Sequence, residues 1–236
     1  MSASPSSVAG GSRPSSRRLR WLVWGAVVLV GVLVGSLLAL LQASRRSGTG
    51  PGAAVGAVGA TSPPVSWAAG RRRAPDFRLV DQSGGRVSLA AYRGRPVIVT
   101  FIDPLCRNFC PLEAKQLNEL VRSLPWGSRP GIVAVSVDVY GDARANLLQD
   151  VARWRLVPQW RWAVGSGRQL ASVWRRYQVG VLVTTKRIAG VRVHEISHTE
   201  AAYVIDRRGY ERALFMWPFR AQDVLATLRR LASSAS

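Results

Sequence analysis

The sequence is poor in the side chains that most often carry redox or metal chemistry, having only two cysteines and two histidines among 236 residues. Cys106 and Cys110 lie too close together to form a disulfide scaffold, and closing so short a loop would stabilise the fold by only about 2 kcal/mol. A globular domain of this length does not need that contribution. Chemistry at the pair is therefore a better explanation of the two cysteines than a structural disulfide.

Acidic residues and lysine are also scarce. Asp and Glu number 13 against 33 Lys and Arg, which gives a net charge of +20, and Lys115 and Lys186 are the only lysines. A strongly basic chain can indicate binding to nucleic acid or to anionic membrane. Because the arginines are scattered and no nucleic-acid motif accompanies them, we predict solvated surface charge and no nucleic-acid partner. Contact with anionic lipid headgroups would be a by-product of this charge.

The first 73 residues fall into three segments of different composition. Residues 1–20 are rich in Ser, Pro and Gly and end in arginines, which is typical of a basic tail. Residues 21–43 lack charge and match the roughly 20 residues that a helix needs to cross a bilayer. They exceed the roughly 7–15-residue core of a cleaved signal peptide, so we expect an uncleaved transmembrane signal anchor. Residues 44–73 are dominated by Gly, Ala, Ser and Pro and predict a flexible linker.

The charges that flank the predicted anchor suggest its orientation. Arginines are denser before residues 21–43 than after them. Positively charged flanks tend to stay in the cytoplasm, so we expect residues 1–20 to be a cytoplasmic tail. The chain is then predicted to be a single-pass protein of the cell membrane, with the domain of residues 74–236 on the extracytoplasmic side.

Residues 74–236 alternate between predicted strands and helices. Continuous apolar runs at residues 96–102 and 131–137 are typical of buried central strands. The other predicted elements are a hairpin (77–80 with 86–89), helices (111–124, 142–154, 168–177 and 221–231), strands (162–164, 201–206 and 211–216) and an extra hairpin (179–196) that turns near 187–190. This alternation, with both cysteines at the first strand-to-helix junction, predicts a thioredoxin-like α/β fold with a central mixed sheet flanked by helices.

The two cysteines stand where a helix is predicted to begin. Cys110 precedes Pro111, so unpaired backbone N–H groups and the helix dipole should favour a thiolate there. Cys106, in the preceding loop, can reach the same point, and Arg107 between the cysteines should further favour anionic sulfur. Thiolates serve both redox exchange and metal binding. The Cys-x3-Cys spacing therefore leaves open a redox-active pair or two ligands for a soft ion such as Cu(I).

His198 is the better candidate for a third ligand. It stands just before the predicted strand 201–206, which in a thioredoxin-like sheet neighbours the cysteine-bearing strand and runs antiparallel to it. The start of that strand should then lie beside the cysteine loop, whereas His194, in the extra hairpin, has no such argument. Because Cu(I) is commonly bound by Cys and His, we predict that His198 is the third ligand if Cys106 and Cys110 bind such an ion.

Three segments of the sequence, TFIDPLCRNFCPLEAKQL, VAVSVD and SHTEAAYVIDRRG, resemble the Sco/SenC family. That family has a thioredoxin fold, a membrane anchor and a Cys-x3-Cys-Pro motif. It also has a distal His, which is followed by Ser or Thr and, shortly after, by Tyr. The matching residues are Cys106, Cys110, Pro111, His198, Thr199 and Tyr203. The resemblance runs from about Ala74 to the C-terminus.

This resemblance implies that the three predicted ligands bind copper in a metallochaperone for the binuclear copper centre of cytochrome c oxidase. The implied partners are the copper-bearing subunit of that oxidase and other copper or thiol carriers. Thiol–disulfide activity can coexist with this role, because related proteins can reduce the cysteines of the oxidase subunit before the metal is delivered.

Two enzymatic alternatives use the same cysteines. A metal-independent thiol–disulfide oxidoreductase of the exported compartment would resemble thioredoxins, but these place a Pro just before the flanking strand, where this sequence reads Ser197-His198-Thr199. A peroxiredoxin-type peroxidase needs Thr and Pro shortly before its cysteine, and Asp103 is a poor substitute for that Thr although Pro104 is present. We therefore favour a metallochaperone over an enzyme.

Overall fold

The computed structural model describes residues 62–233, where the predicted alternation of strands and helices is confirmed. The strands are β1 (Val65–Ser66), β2 (Arg78–Val80), β3 (Arg86–Ser88), β4 (Val97–Ile102), β5 (Gly131–Ser136), β6 (Trp160–Ala163), β7 (Val181–Ile188), β8 (Val191–His198), β9 (Ala201–Ile205) and β10 (Glu211–Met216). The α-helices are α1 (Phe109–Arg122), α2 (Arg144–Arg153), α3 (Gly167–Arg176) and α4 (Ala221–Ser233).

Six of these strands form one mixed sheet in the order β1-β10-β9-β4-β5-β6. Strands β4, β5 and β6 are parallel, as expected for strands joined by helical crossovers. Strand β9 runs antiparallel to β4, and β10 and β1 continue that side of the sheet in antiparallel pairs. The predicted central mixed sheet is therefore confirmed, with β4 in its interior.

The apolar run of β4 is buried on both faces of the sheet. Val97, Val99 and Phe101 pack into one core cluster, and Ile98 and Ile102 into another, because successive side chains of a strand point to opposite faces. Helix α3 and the β2–β3 hairpin contribute to the first cluster, whereas α1, α2 and α4 contribute to the second. Continuous hydrophobicity, rather than alternation, is the pattern that such a covered strand requires.

The predicted boundary at Ala74 lies too far along the chain. Strand β1 pairs with the outer edge of β10, and Trp67 packs against one of the core clusters. Arg72 forms an ion pair with the fully buried side chain of Glu211. These contacts have a physical reason, because an unpaired sheet edge and a buried lone carboxylate are both unfavourable. The last part of the predicted linker, residues 62–73, therefore belongs to the folded unit.

The predicted tail and anchor, and the linker up to residue 61, lie outside the described residues. Within residues 62–233, none of the helices combines the length and the apolar character needed to span a membrane.

The extra hairpin is formed by β7 and β8, which make a separate two-stranded sheet. It turns at Ala189 and Gly190, both with positive φ, as the sequence predicts. Strand β8 continues to His198, two residues beyond the predicted end. In the middle of β8, the His194 ring stacks on Tyr140 with the ring centroids 3.8 Å apart. This contact joins the hairpin to the loop after β5.

Candidate metal and thiol site

Strand order brings the two parts of the candidate site together. The cysteine loop follows the carboxyl end of β4, and β9 pairs with β4 in the antiparallel sense, with Thr100 opposite Ala202. The start of β9 therefore lies beside the cysteine loop, as the sequence predicts. The Nε2 atom of His198 lies 4.0 Å from the Sγ atom of Cys110. His194 is held elsewhere, with its Nδ1 atom 3.0 Å from the Thr185 hydroxyl.

The His198 ring presents an unprotonated nitrogen to the thiol. Its Nδ1 atom lies 3.1 Å from the Thr199 carbonyl oxygen, which can only accept a hydrogen bond, so Nδ1 carries the proton. Burial lowers the pKa of His198, which keeps the ring neutral near pH 7. The Nε2 lone pair then faces Cys110. A hydrogen bond from the other ring nitrogen to a carbonyl is the usual way in which proteins orient a metal-binding histidine.

The segment that carries His198 is fixed to the chain that precedes β7. The Thr199 N–H donates to the Gly180 carbonyl over 2.9 Å, and the Gly180 N–H donates to the Thr199 hydroxyl over 3.1 Å. Tyr203, further along in β9, donates a hydrogen bond through its hydroxyl to the Tyr177 carbonyl. The resemblance singled out Thr199 and Tyr203, and both act here through positioning contacts.

Of the two cysteines, Cys106 has the lower pKa, and as a thiol it donates to the Asn108 Oδ1 atom over 2.9 Å. The Cys110 thiol beside it lowers the pKa of Cys106 to about 6, with further lowering by the N–H groups of Asn108, Cys110 and Phe109. Helix α1 begins at Phe109, two residues before the predicted start. The N–H groups of its first turn therefore face Cys106, and the Cys110 N–H lies 3.4 Å from the Cys106 sulfur. The sequence-based expectation of a Cys110 thiolate is wrong for this reason.

Cys110 lies inside the first turn of α1 with its side chain buried. The Cys106 side chain and then burial raise the pKa of Cys110. Both cysteines are free thiols in the structure. The pair therefore combines a partly exposed cysteine of lowered pKa with a buried cysteine of raised pKa, and the buried sulfur lies 4.0 Å from the His198 imidazole.

Arg107 does not support the thiolate as expected. Its guanidinium donates to the carbonyls of Cys106, at 3.0 Å, and Pro104, at 3.4 Å, and lies 3.9 Å from a carboxylate oxygen of Asp150. Asp150 is a buried side chain of α2 and needs a compensating cation. The guanidinium is thus directed to the main chain of the cysteine loop and to α2.

Three carboxyl groups around the thiols were not among the predicted site residues. Burial raises the pKa of Asp103 to about 6 and that of Glu113 to about 8. Burial, and then the charge on Cys106, raises the pKa of Glu200 to about 7. Two of them had a sequence signal: Glu113 is a charged residue on the apolar face of α1, and Glu200 stands two residues after His198, the spacing that places side chains on one side of an extended segment.

The donor atoms of Cys110, His198 and Glu200 meet the spacing that one metal ion requires, and Cys106 lies outside this group. Protein metal sites have metal–sulfur bonds of about 2.3 Å and metal–nitrogen bonds of about 2.0 Å, so an ion can bridge a sulfur and a nitrogen up to about 4.3 Å apart. Cys110 and His198, at 4.0 Å, satisfy this limit. One donor atom each from Cys110, His198 and Glu200 lies within 4.8 Å of the others. Two sulfurs and an imidazole are donors that suit a soft ion.

The unequal thiols predict a selective alkylation reaction. Iodoacetamide reacts with thiolates, so Cys106 should be modified with a midpoint near pH 6, and Cys110 should resist modification until the protein unfolds. Mass spectrometry of peptides after brief labelling between pH 5 and pH 9 would measure both rates. A Cys110→Ser variant should raise the Cys106 midpoint, because the neighbouring thiol is the largest cause of the low pKa. Faster labelling of Cys110 than of Cys106 would contradict this assignment.

Comparison with known proteins places this arrangement in context. The family model described as SCO1/SenC matches residues 68–233. No protein with curated annotation matches the sequence.

Many solved structures share the fold. The copper-bound ScoI structure from Bradyrhizobium japonicum has a TM-score of 0.59 and 22% identity, over 67% of this chain and 99% of that chain. The copper-bound Sco1 structure from yeast has a TM-score of 0.61 and 17% identity, over 69% of this chain and 90% of that one. BsSco, a member of the Sco family of cytochrome c oxidase assembly proteins, has a TM-score of 0.55 and 18% identity, over 73% of this chain and 98% of that one.

Proposed function

Because this chain belongs to the SCO1/SenC family, we propose that it is a copper metallochaperone that assists assembly of the binuclear copper centre of cytochrome c oxidase. The copper is its cargo, held as Cu(I) by Cys106, Cys110 and His198. The observation that carries the proposal is the approach of the neutral His198 Nε2 atom to Cys110, at 4.0 Å, beside a thiolate at Cys106.

Relatives with this fold support the identity of the metal and the process. ScoI from Bradyrhizobium japonicum and Sco1 from yeast have structures with copper bound, and BsSco belongs to a family of cytochrome c oxidase assembly proteins. We propose the same metal and the same process for this chain. Its partners would then be the copper-bearing subunit of the oxidase and carriers that exchange copper or thiols.

We further propose that the chain is a single-pass membrane protein, with residues 21–43 as the anchor. The domain that contains the site would lie on the extracytoplasmic side. The uncharged character of residues 21–43 and the arginines that precede them support this placement.

Thiol–disulfide exchange is a second candidate activity, and the inequality of the two thiols favours it. Cys106 has the lowered pKa and the partial exposure of an attacking thiolate, and Cys110 beside it can resolve a mixed disulfide. In that exchange the two thiols become a Cys106–Cys110 disulfide, and the partner's disulfide takes up the two electrons and two protons. The same thiolate serves both activities, so copper and a partner disulfide would compete for it.

Copper titration of the purified full-length chain tests the main proposal. The reduced, anaerobic protein should bind about one Cu(I) per chain, and a Cys106→Ser/Cys110→Ser variant should bind none tightly, because Cu(I) prefers thiolate ligands.

Deletion of the gene should lower cytochrome c oxidase activity in cells, and the double variant should fail to restore it. Equal Cu(I) stoichiometry in the wild type and in the double variant would rule out the proposed site.

A further inference from the structure

We infer that Glu200 supplies a carboxylate ligand to the same site, so that Cys106, Cys110, His198 and Glu200 can hold divalent copper as well as Cu(I). This inference rests on the proposed function and adds to it a residue that favours the binding of Cu(II) at the same site. The ion that such a site would bind is divalent and accepts sulfur, nitrogen and oxygen donors together.

The Glu200 carboxylate lies close to two of the proposed copper ligands. A carboxylate oxygen of Glu200, the Nε2 or Nδ1 atom of His198 and the Cys110 sulfur all lie within 4.8 Å of one another. Glu200 lies in the two-residue connection between β8 and β9, and its carbonyl accepts a hydrogen bond from the Trp217 N–H over 3.0 Å. Since Thr199 is also held by Gly180, hydrogen bonds fix the backbone on both sides of the Glu200 side chain.

The second observation is that the Glu200 carboxylate has no partner of its own. Across residues 62–233, neither a hydrogen-bond donor nor a cationic side chain pairs with it. Some other shielded carboxylates of the domain do have partners: Glu211 pairs with Arg72, Asp206 with Arg212, and Glu113 contacts the Thr100 hydroxyl. Its free oxygens are available to a metal ion that binds between Cys110 and His198.

Ligand chemistry determines which oxidation state gains from this carboxylate. Cu(I) is soft and is satisfied by two or three sulfur and nitrogen donors, whereas Cu(II) favours nitrogen and oxygen donors in a four-coordinate, tetragonal arrangement. A carboxylate added to two thiolates and one imidazole therefore contributes mainly to the binding of Cu(II). The side chain at position 200 would set the relative affinity of the site for the two oxidation states.

Substitution of Glu200 by Gln tests this directly, because Gln keeps the shape of the side chain and loses the charged ligand. With the full-length chain, Cu(II) affinity should fall roughly tenfold or more in Glu200→Gln, while Cu(I) affinity should change by less than about threefold. The electron paramagnetic resonance spectrum of bound Cu(II) should also change its hyperfine splitting. Glu119→Gln, on the exposed face of α1, is the matched control and should leave both affinities and the spectrum unchanged.

The outcomes separate this inference from the proposed function. If wild-type and Glu200→Gln proteins bind Cu(II) with the same affinity and spectrum, Glu200 is not a ligand, although the site can still bind Cu(I). An equal loss of Cu(I) and Cu(II) affinity would also overturn the inference, since it would show no selectivity for the divalent ion. If the wild-type protein binds copper in neither oxidation state, the proposed function itself fails.

Discussion

Replacement of His198 by Ala is expected to weaken Cu(I) binding by roughly 100-fold, or about 2.7 kcal/mol. The variant loses the neutral Nε2 donor that faces Cys110 at 4.0 Å. Loss of residues that merely orient metal ligands already costs roughly 10- to 100-fold in affinity, so loss of a ligand should reach the upper end of that range. The two sulfurs remain, which explains why weak binding should persist. Competition with a chromophoric Cu(I) chelator under anaerobic conditions measures the change.

His194→Ala is the matched control for this substitution. Both histidines are partly buried residues of β8, but His194 stacks on Tyr140 and contacts the Thr185 hydroxyl, away from the sulfurs. Its replacement should leave Cu(I) affinity within about threefold of the wild-type value, since it provides no donor to the site. Wild-type affinity in His198→Ala, or an equal loss in both variants, would contradict the ligand assignment.

The parts of the fold that the sequence predicts are those with strong local patterns. The unbroken apolar runs of β4 and β5 mark covered central strands, and the turn at Ala189 and Gly190 marks the β7–β8 hairpin. The approach of His198 to the cysteine loop also followed from the sequence, because strand order in a sheet of this type determines which strand ends are neighbours. Residues 62–73 were misassigned, since their contacts are with the distant strand β10 and leave no local pattern.

Details of the site depend on contacts that sequence patterns do not contain. Pro111 is accepted anywhere in the first turn of a helix, so it did not determine that α1 begins at Phe109. That difference of two residues exchanges the roles of the thiols, because it directs the first N–H groups to Cys106. Arg107 was misjudged for a related reason: its partner Asp150 comes from another helix. Burial, which only the folded chain creates, determines the states of Glu113 and Glu200.

The Glu113 carboxyl group is expected to make the domain less stable as the pH rises. Burial raises its pKa from 4.5 to about 8, so the folded state keeps this proton while the unfolded state loses it. Below pH 4.5 both states are protonated and the group has no effect. Between pH 4.5 and about 8, the free energy of unfolding should fall by about 1.4 kcal/mol per pH unit from this residue, and above that range the loss is complete.

Substitution of Glu113 by Gln should remove this pH dependence and stabilise the protein by up to roughly 3 kcal/mol at pH 7. The Thr100 hydroxyl, which also lies 3.2 Å from the Ala201 carbonyl, donates to the Oε1 atom of Glu113. The amide oxygen of Gln can accept the same hydrogen bond, and the amide carries no ionisable proton. Urea unfolding of the reduced, metal-free chain at pH 5, 7 and 8.5 measures the effect.

The gain should be below about 1 kcal/mol at pH 5 and grow with pH, which separates it from a general improvement in packing. Glu119→Gln, on the same helix but exposed, should change the free energy of unfolding by less than about 0.5 kcal/mol at every pH. A constant difference between Glu113→Gln and wild type from pH 5 to pH 8.5 would mean that Glu113 is ionised in the folded state throughout. A buried anion would then lie three residues after Cys110, and it would oppose the thiolates that the copper proposal requires.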